Sequence, residues 1–215
     1  MQGSVLLFGL GGVGGYALEA LARAGIGRFS IVDFDVVSES NCNRQILALT
    51  ETVGRKKTDV AKERILSINP EASVQVFDCF ADESNVAEIF SASDPLYVID
   101  AVDTIAAKLA IISEAKKRSI PILTCTGTGN KLDATKFVIG DISKSTTCPL
   151  ARVVRTELRR RDIHGVSALW STEKPSSVVS EQEHGRHAPA SISYVPAVAG
   201  LLLAGHVIQE LIKIS

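Results

Sequence analysis

An unbroken apolar run, Val5-Leu6-Leu7-Phe8, opens the chain, and the period of its hydrophobic positions then switches repeatedly. A run without alternation is the pattern of a strand buried on both faces. Residues 14–24 carry apolar side chains at helical spacing, and Gly25 and Gly27 predict where that helix stops. Phe29-Ser30-Ile31-Val32 predicts a second strand. Residues 56–68 put Val60, Ala61, Arg64, Ile65 and Ile68 on one helical stripe, which Asn69-Pro70 ends. Val74-Gln75-Val76-Phe77 predicts a third strand, 86–90 a short helix and Tyr97-Val98-Ile99 a fourth strand. A helix over 106–118 then leads to Ile122-Leu123-Thr124. Repeated strand–helix units with apolar strands predict an α/β fold, a Rossmann-like, doubly wound and mostly parallel sheet.

Beyond residue 136 the pattern changes. Phe137-Val138-Ile139 predicts a strand, and 150–161 a helix with Leu150, Val153, Val154 and Leu158 on one side. Arg152, Arg155, Arg159, Arg160 and Arg161 load its other side and its end. Residues 166–170 predict a short strand, and 176–190, rich in Ser, Glu and His, a mobile loop. The stretch 195–214 is apolar, but its most apolar part, 198–204, falls short of the roughly 20 residues a membrane span needs. A buried terminal helix is expected there, and no span. The 215 residues thus predict one domain, with a nucleotide-binding core over 1–135 and a C-terminal helix-and-strand extension for substrate or dimer contacts over 136–215.

Composition narrows the class. A hydrophobic share of 46% with 22% charged residues is that of a soluble globular protein. The net charge of −1 excludes a generally basic coat for nucleic acid and leaves only local patches for it. The four cysteines form no C-x-x-C pair, so neither a structural zinc site nor a disulfide framework is expected, and a reducing cytoplasm fits. Cys42 is expected to pack as a small apolar group, Cys79 and Cys125 to lie in the core, and Cys148 to sit inert before a helix with Pro149 in its first turn. The four histidines lack ligand spacing. No secretory leader is expected before the first strand.

Candidate chemistry begins at Gly9-Leu10-Gly11-Gly12-Val13-Gly14, between the first strand and the first helix. Glycines there let the backbone approach a phosphate, whose charge meets the free N–H groups of the helix start. Asp33, at the end of the second strand, stands where a carboxylate holds a ribose diol. The turn alone most often belongs to an NAD or FAD enzyme. The residues after Asp33 change that: Asp35, Asn41, Asn43, Arg44, Gln45 and Lys57 are more than a dinucleotide site uses, whereas cations suit a triphosphate. Asp103, after Ala101 at the end of the fourth strand, faces the same crevice and suits Mg²⁺.

This combination resembles the ubiquitin-activating-enzyme-like adenylating superfamily of ThiF, MoeB and HesA. It rests on 9–14, Asp33-Phe34-Asp35, 41–45, Lys57 and 100–103, and extends to about Thr128. Thr147-Cys148-Pro149-Leu150-Ala151-Arg152, Ser171-Thr172-Glu173-Lys174-Pro175 and Ser191-Ile192-Ser193-Tyr194-Val195-Pro196 are similar to its TcdA/CsdL branch, the tRNA threonylcarbamoyladenosine dehydratases. The resemblance implies an ATP site over Gly9, Gly11, Gly12, Gly14, Asp33, Asp35, Asn41, Asn43, Arg44, Gln45, Lys57, Ala101 and Asp103. Within it Arg44, Lys57 and Asp103 are the catalytic candidates, with Mg²⁺ at Asp103. It implies activation of a threonyl carboxylate by ATP and closure of a ring with loss of water, in a cytoplasmic homodimer. The substrate tRNA would be met by Lys117, Arg118, Arg152, Arg155, Arg159 and Arg186. A monovalent cation and a sulfur-acceptor or cysteine desulfurase system are further partners the resemblance allows.

The chain departs from the family in three ways. Relatives carry a helical arm before the first strand, with an arginine that crosses the dimer into the partner's ATP site. Here the strand follows almost at once, so either a longer form exists or activation lacks that arginine and is expected to be slowed. Gly15 replaces the usual serine, removing a hydroxyl expected near the phosphates. The zinc-binding cysteine pairs of MoeB and ThiF are absent, as in the dehydratase branch. Two other functions stay open: adenylation of a ubiquitin-like sulfur carrier, and a nucleotide-binding scaffold that has lost catalysis. Nicotinamide chemistry is weakest, since no hydride-transfer acid accompanies the glycines.

Overall fold

A computed structural model describes residues 3–176 and 191–214 together with the short segments 182–183 and 186–187. Its elements alternate as the apolar pattern predicts: β1 (Ser4–Phe8), α1 (Gly14–Arg23), β2 (Arg28–Val32), α2 (Lys57–Ile68), β3 (Ser73–Phe77), α3 (Val86–Ser93), β4 (Tyr97–Asp100), α4 (Ile105–Lys117) and β5 (Ile122–Cys125). After them come β6 (Phe137–Asp141), α5 (Pro149–Arg160), β7 (Ser167–Ser171), β8 (Gln182–Glu183), β9 (Arg186–His187) and α6 (Tyr194–Ile214). Seven strands form one sheet in the order β3-β2-β1-β4-β5-β7-β6, parallel except for β6, which runs antiparallel to β7 at the edge.

Alternation along β1 shows why the run is apolar throughout. Val5 and Leu7 join the layer made with α1, α2 and α6, whereas Leu6 and Phe8 join the layer with α3, α4 and α5. Both faces are covered, and all five residues of β1 are buried. Helix α1 stops where Gly25 adopts a positive φ of 79°. Helix α3 runs past the predicted 86–90 to Ser93, whose hydroxyl donates back to the Ile89 carbonyl, and Asp94 ends it in the left-handed region. Helix α5 begins as its sequence predicts, with Cys148 as N-cap and Pro149 in the first turn.

Within 176–190 a loop is expected, and the described part contains the antiparallel pair β8–β9; the other residues of 177–190 lie outside the described residues. Helix α6 is long and apolar enough to cross a membrane, yet Val195, Ala199, Leu203, Ala204, Val207 and Leu211 are buried against α1 and the sheet. It is the terminal core helix expected.

Strand order reverses between β1 and β4, which makes a crevice beyond their carboxyl ends. Phe8 is level with Val32 and with Asp100, so the turns leaving β1, β2 and β4 open side by side.

Candidate active site

The turn after β1 has no room for side chains at Gly9 and Gly14. Gly9 has a φ of 86°, and a Cβ on it would stand 2.8 Å from the Ala101 carbonyl oxygen. A Cβ on Gly14 would lie 1.8 Å from the carbonyl oxygen of Gly9. The two glycines press the turn onto the end of β4 and onto itself. The start of α1 carries no acidic residue and no side-chain cap; the Gly15 N–H donates to the Gly11 carbonyl, and this helix start still suits an anion.

Asp33 pins that turn. Its Oδ2 accepts from the Leu10 N–H at 2.6 Å and its Oδ1 from the Asp35 N–H at 2.8 Å. Only 8% exposed, it has its pKa pushed above 3.8 by desolvation, which Lys57 and the two N–H donors offset in part. Lys57 is 4% exposed and donates to Asp35 Oδ2 at 2.7 Å, so Asp35 aims the ammonium. Arg44 lies along the backbone, its Nη1 donating to the Ser40 carbonyl at 2.9 Å and to Asn43 Oδ1 at 2.8 Å. Asn41 is buried and takes the Ser38 N–H on its Oδ1. Gln45 Oε1 is buried without a hydrogen-bond partner among the described residues.

These residues line one cavity of about 920 Å³. Gly9, Gly11, Gly12, Asp33, Asp35, Asn41, Arg44, Gln45, Lys57, Ala101 and Asp103 are on its wall. Gly14 and Asn43 stand just behind it, the first packed on Gly9 and the second holding Arg44. A side chain at Gly15 would point at Ile46 and Leu47, away from the cavity, so a serine hydroxyl there would not reach phosphates. Asp103 is exposed on the rim and accepts from the Thr104 hydroxyl at 3.3 Å. No cluster of three metal-ligating side chains occurs among the described residues. A Mg²⁺ held by one carboxylate and by substrate phosphates needs none, and Asp103 suits it.

Sequence patterns did not reveal the other parts of this wall. Under the β4 turn, Lys108 on α4 is fully buried with Asp100, donating to its Oδ2 at 2.9 Å and to Thr124 Oγ1 at 3.2 Å. Asp100 Oδ1 accepts the Val102 N–H, so this buried pair fixes the turn that presents Ala101 and Asp103. The visible signal was a lysine amid Ala107, Leu109, Ala110, Ile111 and Ile112. At the opposite end, Gly127 to Lys131 after β5 and Cys148 to Leu150 at the start of α5 complete the wall. A lysine in a glycine-rich loop at a strand's carboxyl end was the signal there.

Two cysteines differ from expectation, and Cys125 lies in the core as expected. Cys42 is exposed, since it follows the short helical turn 39–41 on its outer side, and Cys79 is half-buried on the cavity wall. Cys125 is buried and also reaches the cavity; desolvation pushes its thiol to about 12, so it stays protonated.

The basic candidates divide. Arg152 and Arg159 are exposed on α5. Arg155 is bound to the Ser145 carbonyl and hydroxyl, and Arg118 ties α4 to α3 through Glu114, the Ala87 carbonyl and Ser91 while covering Phe90. Lys117 is exposed beside Glu114. The backbone of Arg186 is in β9, and its side chain lies outside the described residues.

The ThiF family model matches residues 1–215. The tRNA threonylcarbamoyladenosine dehydratase of Bacillus subtilis is 44% identical over 98% of this chain and 87% of its own length. Crystal structures of E. coli TcdA, a tRNA N6-threonylcarbamoyladenosine dehydratase, with AMP and with ATP match with TM-scores of 0.89 and 0.88. Each is 35% identical and covers 97% of this chain and 85% of that one. A probable molybdopterin-synthase adenylyltransferase of Porphyra purpurea is 40% identical, but over 51% of this chain and 28% of its own length.

Proposed function

The chain belongs to the ThiF family, and from that premise we propose that it is an ATP-dependent tRNA threonylcarbamoyladenosine dehydratase. One observation carries this reading over the sulfur-carrier alternative. Similarity to the Bacillus subtilis dehydratase runs over 98% of the chain, whereas that to the molybdopterin-synthase adenylyltransferase stops at 51%.

Asp33, its oxygens each with a free lone pair, takes the ribose diol. The glycine turn and the start of α1 take the phosphate chain, and Lys57, Arg44 and Asn41 meet its oxygens. Asp103 would hold Mg²⁺, which would supply further positive charge to the phosphates. A carboxylate oxygen of the threonyl group attacks phosphorus, expelling pyrophosphate if the α-phosphorus is attacked or ADP if the γ-phosphorus is, and that oxygen later leaves the acyl carbon as part of the AMP or phosphate released. An internal nucleophile then attacks the activated acyl carbon, giving up its proton as the ring closes, so the nucleoside loses one water in all. The protein's part is alignment and charge neutralisation.

The enzyme is further proposed to work in the cytoplasm as a homodimer. Leu132, Val138, Leu201, Leu202 and Ile212 are exposed on the outer loop, edge strand and terminal helix, which is the apolar surface such an interface needs. A monovalent cation belongs to the same proposal.

The test is to mix the protein with Mg-ATP and tRNA carrying linear threonylcarbamoyladenosine and to weigh the released nucleosides. Loss of one water is expected. No mass change with ATP still bound would leave a scaffold. ATP–pyrophosphate exchange that starts only with a diglycine-tailed carrier protein would give the reaction to the sulfur-carrier class.

A further inference from the structure

The nucleotide residues occupy one end of the cavity, and the other end is built around a buried cation. Lys131 is 3% exposed and lines the cavity. Its ammonium donates to the backbone carbonyl of Glu173. Glu173's carboxylate is turned elsewhere, accepting the Leu132 N–H at 3.0 Å and the Asp133 N–H at 3.0 Å. No ion pair to Lys131 occurs among the described residues, and the thiol of Cys125 at this end is protonated. One of three donors on the ammonium is accounted for. Burying a cation that lacks a direct ion pair is costly: desolvation pushes the pKa of Lys131 down, and the nearby Cys148 and Glu173 offset that only in part.

One neighbour points to a ligand at the same place. Asn130, held in the left-handed region at a φ of 56°, lines the cavity with a buried Oδ1 that has no hydrogen-bond partner among the described residues. The start of α5 borders it, though Cys148 Sγ already takes the Ala151 N–H and Pro149 has none, and Gly127 touches Cys148 so closely that a Cβ would stand 2.6 Å from its Sγ. This end therefore offers a buried ammonium and one amide oxygen acceptor, which suits an anionic group flanked by a hydrogen-bond donor.

We infer that Lys131 receives the carboxylate that ATP activates, with Asn130 Oδ1 accepting an N–H or O–H next to it, so this end sets the substrate class as a carboxylate-bearing nucleoside. This rests on the dehydratase reading of the same cavity. Lys131 holds one carboxylate oxygen while the other faces phosphorus, and keeps its hold as negative charge returns to that oxygen during ring closure. It touches the substrate and determines specificity; Lys57 and Arg44 serve the phosphates.

The experiment uses the full chain loaded with a non-hydrolysable ATP analogue and compares binding of threonylcarbamoyladenosine with its methyl ester. The wild type is expected to bind the acid at least tenfold more tightly than the ester, as a charge-assisted contact requires. Lys131→Met should bind acid and ester alike, with analogue affinity unchanged, and Lys131→Arg should recover most of the preference. Wild type that binds neither or both equally, a Lys131→Met protein that keeps the preference, or one that loses the ATP analogue would each overturn the inference. Thermal melting of Lys131→Met beside the wild type guards against a folding defect in that variant. A wild type that prefers the acid yet never dehydrates the tRNA nucleoside would sink the dehydratase reading and leave Lys131 in place. Dehydration with an unchanged acid preference in Lys131→Met would do the reverse.

Discussion

At the scale of single residues, the nucleotide end is organised by two carboxylates with different tasks. Asp35 is the hand that aims Lys57, and Asp33 ties the glycine turn and faces the ligand. Replacing Lys57 by Met removes the buried ammonium and frees Asp35, so kcat with saturating ATP should fall by about 10²–10³, the loss typical of one preorganised charge donor. Asp35→Asn keeps a weaker contact to Lys57 and should cost less; an equal loss in both variants would mean that Asp35 acts on the substrate directly. Asp33 gives a pH dependence. Its folded pKa is raised, so its proton returns at a pH above the ordinary 3.8. ATP affinity should therefore decline on acidification with a midpoint above that value, because the protonated acid accepts the ribose less well. The same sign makes the unliganded fold lose stability from this group as pH rises through the raised value. Asp33→Asn, measured by calorimetry across the acid range, should bind ATP weakly with no such limb.

These residues were legible because each follows a strand end within a short distance of the glycine turn, where chemistry and spacing coincide. Lys131 and Lys108 were not. Lys131 reaches the cavity because the loop after β5 folds over it and Glu173 holds that loop from the far side of β7, a contact across 42 positions. Lys108 sits on a helix whose apolar periodicity hides whether a lysine points in or out, and only the buried Asp100 opposite decides it. Cys42 misled for a related reason: apolar chemistry suggested packing, while the short helical turn it follows faces solvent.

Among elements, the strand and helix order was readable throughout because a doubly wound sheet demands fully apolar strands, and ends shifted by only a few residues where hydrogen bonds such as that of Ser93 prolong a helix. What periodicity hid was the close approach of α1 and α6. Gly200 lies where a Cβ would stand 2.2 Å from the Val13 carbonyl oxygen and 2.9 Å from the Ala17 nitrogen. Gly200→Ala must therefore push α6 from α1, and with overpacking costs of about 1–3 kcal/mol the melting temperature should fall by roughly 2–12 °C. Because Val13 belongs to the glycine turn, ATP affinity should fall with it. Gly205→Ala on the same helix meets nothing within 4 Å and should leave both unchanged, or raise stability slightly by helix propensity. A Gly200→Ala protein with wild-type melting would mean that the helices slide apart freely.

For the molecule as a whole, a net charge of −1 means that an RNA partner must be held by a local arrangement and not by the overall field. The exposed arginines of α5 are placed for it. Arg152 lines a groove of about 550 Å³ with Thr146, Thr147 and Cys148, and Cys148 also lines the cavity, so a backbone held at Arg152 and Arg159 leads toward the carboxylate end. Arg155 and Arg118 carry the same charge but are committed to the fold by Ser145 and by Glu114, Ala87 and Ser91. Charge alone treats these four arginines alike, whereas their partners separate them. Arg152→Ala and Arg159→Ala should weaken tRNA binding and flatten its salt dependence, by a slope of about 0.7–0.9 for each phosphate no longer neutralised, with ATP affinity and melting temperature unchanged. Arg118→Ala should instead lower the melting temperature and leave the salt slope as it was. Binding titrations of tRNA over a range of salt, run beside thermal melts, separate the two groups. Equal slopes for wild type, Arg152→Ala and Arg159→Ala would move the docking face off α5, and a flattened slope for Arg118→Ala would move it toward α3 and α4.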